Sequence, residues 1–109
     1  MKICKLAEQL NAEILSMPDP DAEVTGGYCG DLLSWVMGRA QEGHVWITIM
    51  TNINIVAVAS LSEVSAILLT ESSEVEDAVI EKAKEQGINI LRTGMSSYEA
   101  ALSVGTATK

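Results

Sequence analysis

Two spacings of apolar residues alternate along this chain. Ile3, Leu6, Ala7 and Leu10 share one helical face, with Lys2, Lys5, Glu8 and Gln9 left for water, and predict a helix over residues 2–11. Ile14 and Leu15 suit a brief strand. Pro18 and Pro20 end it, because neither has an amide for a ladder, so residues 17–21 read as an exposed acidic loop. Leu32, Leu33, Val36, Met37 and Ala40 form the inward stripe of a second helix that closes at Gly43, while Gly38 within it implies a closely packed neighbouring backbone. Residues 44–49, β-branched and aromatic, are the clearest strand and are expected to lie centrally.

Residues 55–61 satisfy neither period cleanly. Ala57, Ala59 and the capping residues Thr51, Asn52 and Asn54 ahead of them favour a short buried helix over another strand. Residues 64–69 predict a buried strand. Ser73 and Glu76 have capping-box spacing, and Val75, Ala78, Val79 and Ala83 follow as one face of a helix that stops at Gly87. Residues 88–91 are the next strand. Ser96 and Glu99 make a second capping box, before a helix that turns Tyr98, Ala101 and Leu102 inward and frays from residue 104. From Val45 onward strands and helices alternate, which predicts a mostly parallel sheet flanked by helices.

Composition fits that picture. A chain of 109 residues holds one core, so residues 1–109 are expected to form a single α/β domain; with 48% hydrophobic residues and no Phe, its core is aliphatic. Charge narrows the partners: a formal net charge of −8 repels nucleic-acid phosphates and anionic headgroups. Neither a signal peptide nor a membrane-length apolar run is visible, which implies a cytoplasmic protein. Cys4 and Cys29 lack C-x-x-C spacing and His44 is the one histidine, so reduced thiols and no metal set are expected.

Residues 24–31, Val-Thr-Gly-Gly-Tyr-Cys-Gly-Asp, read as a strand passing through a glycine turn into the second helix, with Asp31 accepting from the helix's first free amides. Such a junction can cradle an anion or be only a well-made corner. It lacks the Lys-Ser/Thr ending of a P-loop and the spacing of a dinucleotide fingerprint. Three later strand-to-helix junctions also carry short polar residues, and in an open parallel sheet such turns gather where ligands sit. The candidate ligand-binding set is therefore Thr25, Gly26, Gly27, Asp31, Thr51, Asn52, Asn54, Thr70 and Thr93, each of which also has an ordinary use in a cap or turn. Arg39 and Arg92 are the scarce cations outside the termini and the Lys82/Lys84 helix. His44, at a helix-to-strand turn, should lie away from these junctions, with no nucleophile and acid beside it. Glu71, Glu74, Glu76, Asp77, Glu81 and Glu85 form an acidic face that is solvated or meets a basic partner. Trp35 and Trp46 suit the core or a subunit interface.

Three stretches, Gly26-Gly27-Tyr28-Cys29-Gly30-Asp31-Leu32-Leu33-Ser34-Trp35-Val36-Met37, Gly43-His44-Val45-Trp46-Ile47-Thr48-Ile49 and Asn54-Ile55-Val56-Ala57-Val58-Ala59, resemble the DRTGG domain family. The resemblance implies a fold similar to the amino-terminal domain of HPr kinase/phosphorylase, a module without the kinase active site. It also implies a regulatory or assembly role, in some stand-alone members near iron hydrogenase components, with no catalytic residues to carry over. The namesake motif falls on Glu23-Val24-Thr25-Gly26-Gly27, where Glu-Val replaces Asp-Arg; Met50 and Asn52 stand where stand-alone members often carry Gln and His. The expectation is a non-catalytic regulatory or protein-interaction module without cofactor. It is expected to be homodimeric through Ile55, Val58 and Leu61, and to have an unidentified protein partner and a small-ligand pocket. The alternative is a dedicated nucleotide or small-metabolite binder.

Overall fold

A computed structural model describes residues 1–109. The elements run α1 (Ile3–Leu10), β1 (Glu13–Ser16), β2 (Gly26–Cys29), α2 (Leu33–Arg39), β3 (His44–Thr48), α3 (Asn54–Ser62), β4 (Ala66–Leu69), α4 (Asp77–Gln86), β5 (Ile90–Arg92) and α5 (Ser97–Ala107). The strands make one five-stranded sheet in the order β1-β5-β4-β3-β2. Strands β2 to β5 are parallel and β1 runs antiparallel on β5, giving the mostly parallel α/β sheet that the alternation predicts. The central strand is β4, with β3 one place out.

Because successive side chains of a strand point to opposite faces, the buried strand residues divide between two cores. Trp46, Ile67, Leu69 and Ile90 pack with Val36 of α2, Ile55 and Val58 of α3 and Val79 and Ala83 of α4. Val45, Ile47, Leu68 and Leu91 pack on the other face with Ile3 and Leu6 of α1 and Ala100 and Val104 of α5. Both faces of the sheet are covered, which is why β4 is apolar at every position. The ambiguous segment at 55–61 is a helix for the same reason, burying Ile55, Val56, Val58 and Ala59.

Several local expectations are overturned. The glycine run is not a turn: Gly26 and Gly27 open β2, and Gly27 lies in register with Val45. The second helix ends at Arg39, not Gly43, whose positive φ of 83° serves the turn into β3. Gly38 meets nothing within 4 Å, so no backbone approaches it. Leu32 and Met37 are exposed, leaving Val36 as the buried residue of α2. Ser73 does not cap α4; its hydroxyl donates to the Thr70 carbonyl. In α5 the capping box of Ser96 and Glu99 forms, but Tyr98 and Leu102 face water, and residues 104–107 stay helical because Val104 is buried.

The amino ends of the strands are closed by hydrogen bonds to backbone. The Asn89 amide donates to the carbonyls of Asp19 and Ser65, and its Oδ1 accepts from the Asp19 amide, so one buried side chain pins the Pro18–Pro20 loop beneath the sheet. Ser16 Oγ donates to the Ile88 carbonyl, and Ser65 Oγ to that of His44.

Candidate functional site

The carboxyl ends of β2, β3, β4 and β5 share one rim, where each strand gives way to its connection. Asp31, just after β2, does not cap α2; its Oδ1 accepts from Thr48 Oγ1 at 2.7 Å and from the Ile49 amide at 3.1 Å. This ties the β2–α2 corner to the end of β3. The buried Trp46 indole reinforces the same corner by donating to the Gly30 carbonyl at 2.8 Å.

Thr51 and Asn52 lie in the β3–α3 connection, where Asn52 Oδ1 accepts from the Asn54 amide. Thr70, fully buried at the end of β4, pairs its hydroxyl with Ser97 Oγ of α5 at 2.8 Å. Thr93 follows β5: its carbonyl accepts from the Ser72 amide and its Oγ1 from the Met95 amide. Six of the nine candidate residues, Asp31, Thr51, Asn52, Asn54, Thr70 and Thr93, therefore sit on this rim. Thr25 and Gly26 do not. They precede or open β2 at the opposite end, where Thr25 Oγ1 donates to the Glu42 carbonyl, and Gly27 lies inside the strand. The spacing misplaced them because the glycines, read as a turn after a strand, in fact open the strand.

Two rim features had no clear signal in the sequence. Glu71 and Ser72 both adopt left-handed backbone, with φ of 57° and 53°, although neither is Gly or Asn. The bonds from their amides to the Met95 and Thr93 carbonyls hold that turn against the β5–α5 connection. Between the β3–α3 and β4–α4 connections runs a groove of about 980 Å³, lined by Thr51, Asn52, Ile53, Glu74, Val75 and Asp77 among others. A smaller hollow of about 370 Å³ beside it brings Glu13, Ser72, Glu74, Arg92 and Thr93 together.

The rim is poor in free positive charge. Arg92 is held by Glu13 through two bonds of 3.0 Å, and that contact lowers the Glu13 carboxyl below its ordinary value and raises the guanidinium. The one histidine is not on this rim. His44 starts β3 at the far end of that strand from Thr48, and its Nδ1 accepts from the Gln41 amide. Burial, aided by the Asp31 charge, pushes the Cys29 thiol above its usual value, away from the reactive thiolate. No group of three His, Cys, Asp or Glu residues is placed to hold a metal ion. No helix is long and apolar enough to cross a membrane.

Topology adds a further constraint. From β2 to β5 the chain steps steadily across the sheet, and α2, α3 and α4 all contribute to one core. The reversal of strand order that opens a ligand crevice in doubly wound sheets is therefore absent among the parallel strands.

These features define a small α/β domain with its polar connections gathered at the carboxyl rim. The chain belongs to the DRTGG domain family, whose model matches residues 5–107. Its fold is similar to that in the crystal structure of the CBS and DRTGG domains of the regulatory region of Clostridium perfringens pyrophosphatase, complexed with the activator diadenosine tetraphosphate. The TM-score is 0.71 at 18% identity, over 95% of this chain and 47% of that one, so this chain spans about half the length of that neighbour. No curated protein matches the chain.

Proposed function

We propose that this chain is a non-catalytic regulatory or protein-interaction module that self-associates as a homodimer. The observation that supports this most is an uncovered apolar surface where β2, α2 and the end of β3 meet. Leu32, Trp35 and Ile49 are each about half exposed, at 57%, 52% and 47%. Leu32 follows Asp31, whose carboxylate grips the Ile49 amide, so this surface has a fixed foundation. Arg39 stacks over the Trp35 ring at 3.8 Å. Large apolar side chains grouped in this way mark contact surfaces more often than lone ones do. Beside them, β2 is an edge strand of Gly26, Gly27, Tyr28 and Cys29, without the charges or proline that protect edges from pairing.

The dimer face expected from the sequence is not available, since Ile55 and Val58 are buried and only Leu61 of that trio is exposed. The surface around α2 replaces it in this reading. Sedimentation equilibrium of the full chain tests the proposal: a dimer is expected, with Trp35→Ser and Leu32→Ser shifting it to monomer. A wild-type chain that stays monomeric at about 100 μM, far above the Kd of a stable dimer, would overturn the homodimer.

A second reading, a dedicated nucleotide or small-metabolite binder, draws on the diadenosine tetraphosphate in the neighbour's structure. The rim opposes a polyphosphate, because Arg92 is engaged by Glu13 and the groove carries Glu74, Glu76 and Asp77. Thermal denaturation with diadenosine tetraphosphate separates the readings. The interaction module predicts no shift in melting, whereas a true ligand at a hundred times its Kd would stabilise the fold by about 2.7 kcal/mol.

A further inference from the structure

The groove at the carboxyl rim leads into the cleft between two helices. It passes Ile53 and reaches a second hollow of about 290 Å³ between α3 and α4, where Val56 and Ala57 face Lys82 and Gln86. Ile53 lines both hollows and is 49% exposed where they meet. Val75 adds a half-buried apolar side chain at the rim end, while Val79 and Val56 lie buried beneath the floor. The two hollows, joined at Ile53, make a channel of mixed polar and apolar lining.

Charge along the channel is graded. Glu74, Glu76 and Asp77 line the rim end, and none of them enters a salt bridge within the molecule. Glu76 stands at the N-cap of α4 yet makes no capping bond. Lys82 lines the far end, also without an ion pair, while Lys84 on the same helix is paired with Glu81. The carboxylates do not converge on a metal position.

We propose that this channel docks a basic, apolar peptide segment of a partner protein. Its aliphatic side chains lie over Ile53 and Val75, its Lys or Arg residues meet Glu74, Glu76 and Asp77, and Lys82 repels a cation from the other end and so sets the direction of the chain. Charge complementarity selects this occupant. An anionic ligand would meet three carboxylates, and a second copy of this chain would bring its own net charge of −8 to an acidic mouth. The proposal rests on the interaction-module reading and gives the partner a chemistry; its apolar contact at Ile53 is separate from the self-association surface at Leu32, Trp35 and Ile49.

The test is fluorescence anisotropy of the full chain with a short fluorescein-labelled peptide that carries two arginines ahead of alternating leucine and serine. A control peptide has glutamates in place of the arginines. Saturable binding of the basic peptide is expected, weaker by about tenfold in the Glu74→Gln, Glu76→Gln, Asp77→Asn triple variant and in Ile53→Ser, and weaker again at high salt. The glutamate peptide should not bind. All four substituted positions are exposed, and circular dichroism confirms that the variants fold. Equal binding by wild type and both variants, or equal binding of the two peptides, would overturn the channel. So would displacement by spermine with Ile53→Ser without effect, which would mean general attraction of polycations. No peptide binding with self-association intact rejects the channel alone, and loss of both rejects the module reading as well.

Discussion

The two ends of the sheet use similar residues in opposite ways. At the amino end, Ser16, Thr25, Ser65 and Asn89 all direct their side chains to backbone partners. A Cβ at Gly43 there would lie 2.7 Å from the Thr25 side chain. At the carboxyl end, Asp31 and Thr70 are similarly engaged, but Glu74, Glu76 and Asp77 stay free of salt bridges beside the exposed Ile53, and Leu32, Trp35 and Ile49 stand uncovered. The amino end uses these side chains to hold its own backbone, although Ser62 Oγ is left unpaired there. The carboxyl end differs in placing exposed carboxylates beside exposed apolar side chains, a combination that a partner can use.

Substitutions sharpen the contrast. Asn89→Ala should have the largest effect, about 3 kcal/mol in urea denaturation, because it removes three hydrogen bonds at once and strands the buried Ser65 carbonyl. Asp31→Ala should cost about 2 kcal/mol, since it removes a charged acceptor from the Thr48 hydroxyl and the Ile49 amide. Ser96→Ala, which opens the capping box of α5, should cost about 1 kcal/mol. Glu76→Gln should change stability by less than about 0.5 kcal/mol, as expected of an exposed side chain with no internal partner. A large loss from Glu76→Gln, or none from Asn89→Ala, would break the comparison.

The capping box also has a pH signature. The Ser96 backbone amide, with help from its side chain, holds the Glu99 carboxyl below its ordinary value. The folded protein therefore binds that proton more weakly than the unfolded chain, and the stabilisation is present above the unfolded Glu value and lost as pH falls through the folded one. Glu99→Gln should accordingly lose less stability than wild type between about pH 6 and about pH 3, read by thermal melts.

Much of the fold was legible because the strands are buried on both faces and the helices carry apolar stripes. Capping residues marked α5, and Gly87 marked the end of α4. The glycine run misled because glycine also occurs at edge strands, where Gly27 meets the Val45 carbonyl and Val104 closely enough to leave little room for a side chain. Short helices misled too: with seven residues and one buried position, α2 could not be distinguished from a longer helix by spacing. Asn89 was read only as part of a strand, since a lone polar residue in an apolar run gives no hint of a clamp reaching back to Asp19. Thr70 and Thr93 were expected on the carboxyl rim because they follow predicted strands, whereas Asp31 was read as a helix cap, a use it does not have. The channel was not expected, because it depends on how α3 and α4 sit side by side.

Amide hydrogen exchange, followed at low and high protein concentration, tests the contrast between the two ends most directly. If the carboxyl end and its adjoining α2 surface are where the molecule associates, amides near Cys29, Leu32, Trp35 and Ile49 gain protection as concentration rises, while those near Thr25, Gly43 and Asn89 do not change. Protection gained at the amino end instead, or nowhere, would contradict the account.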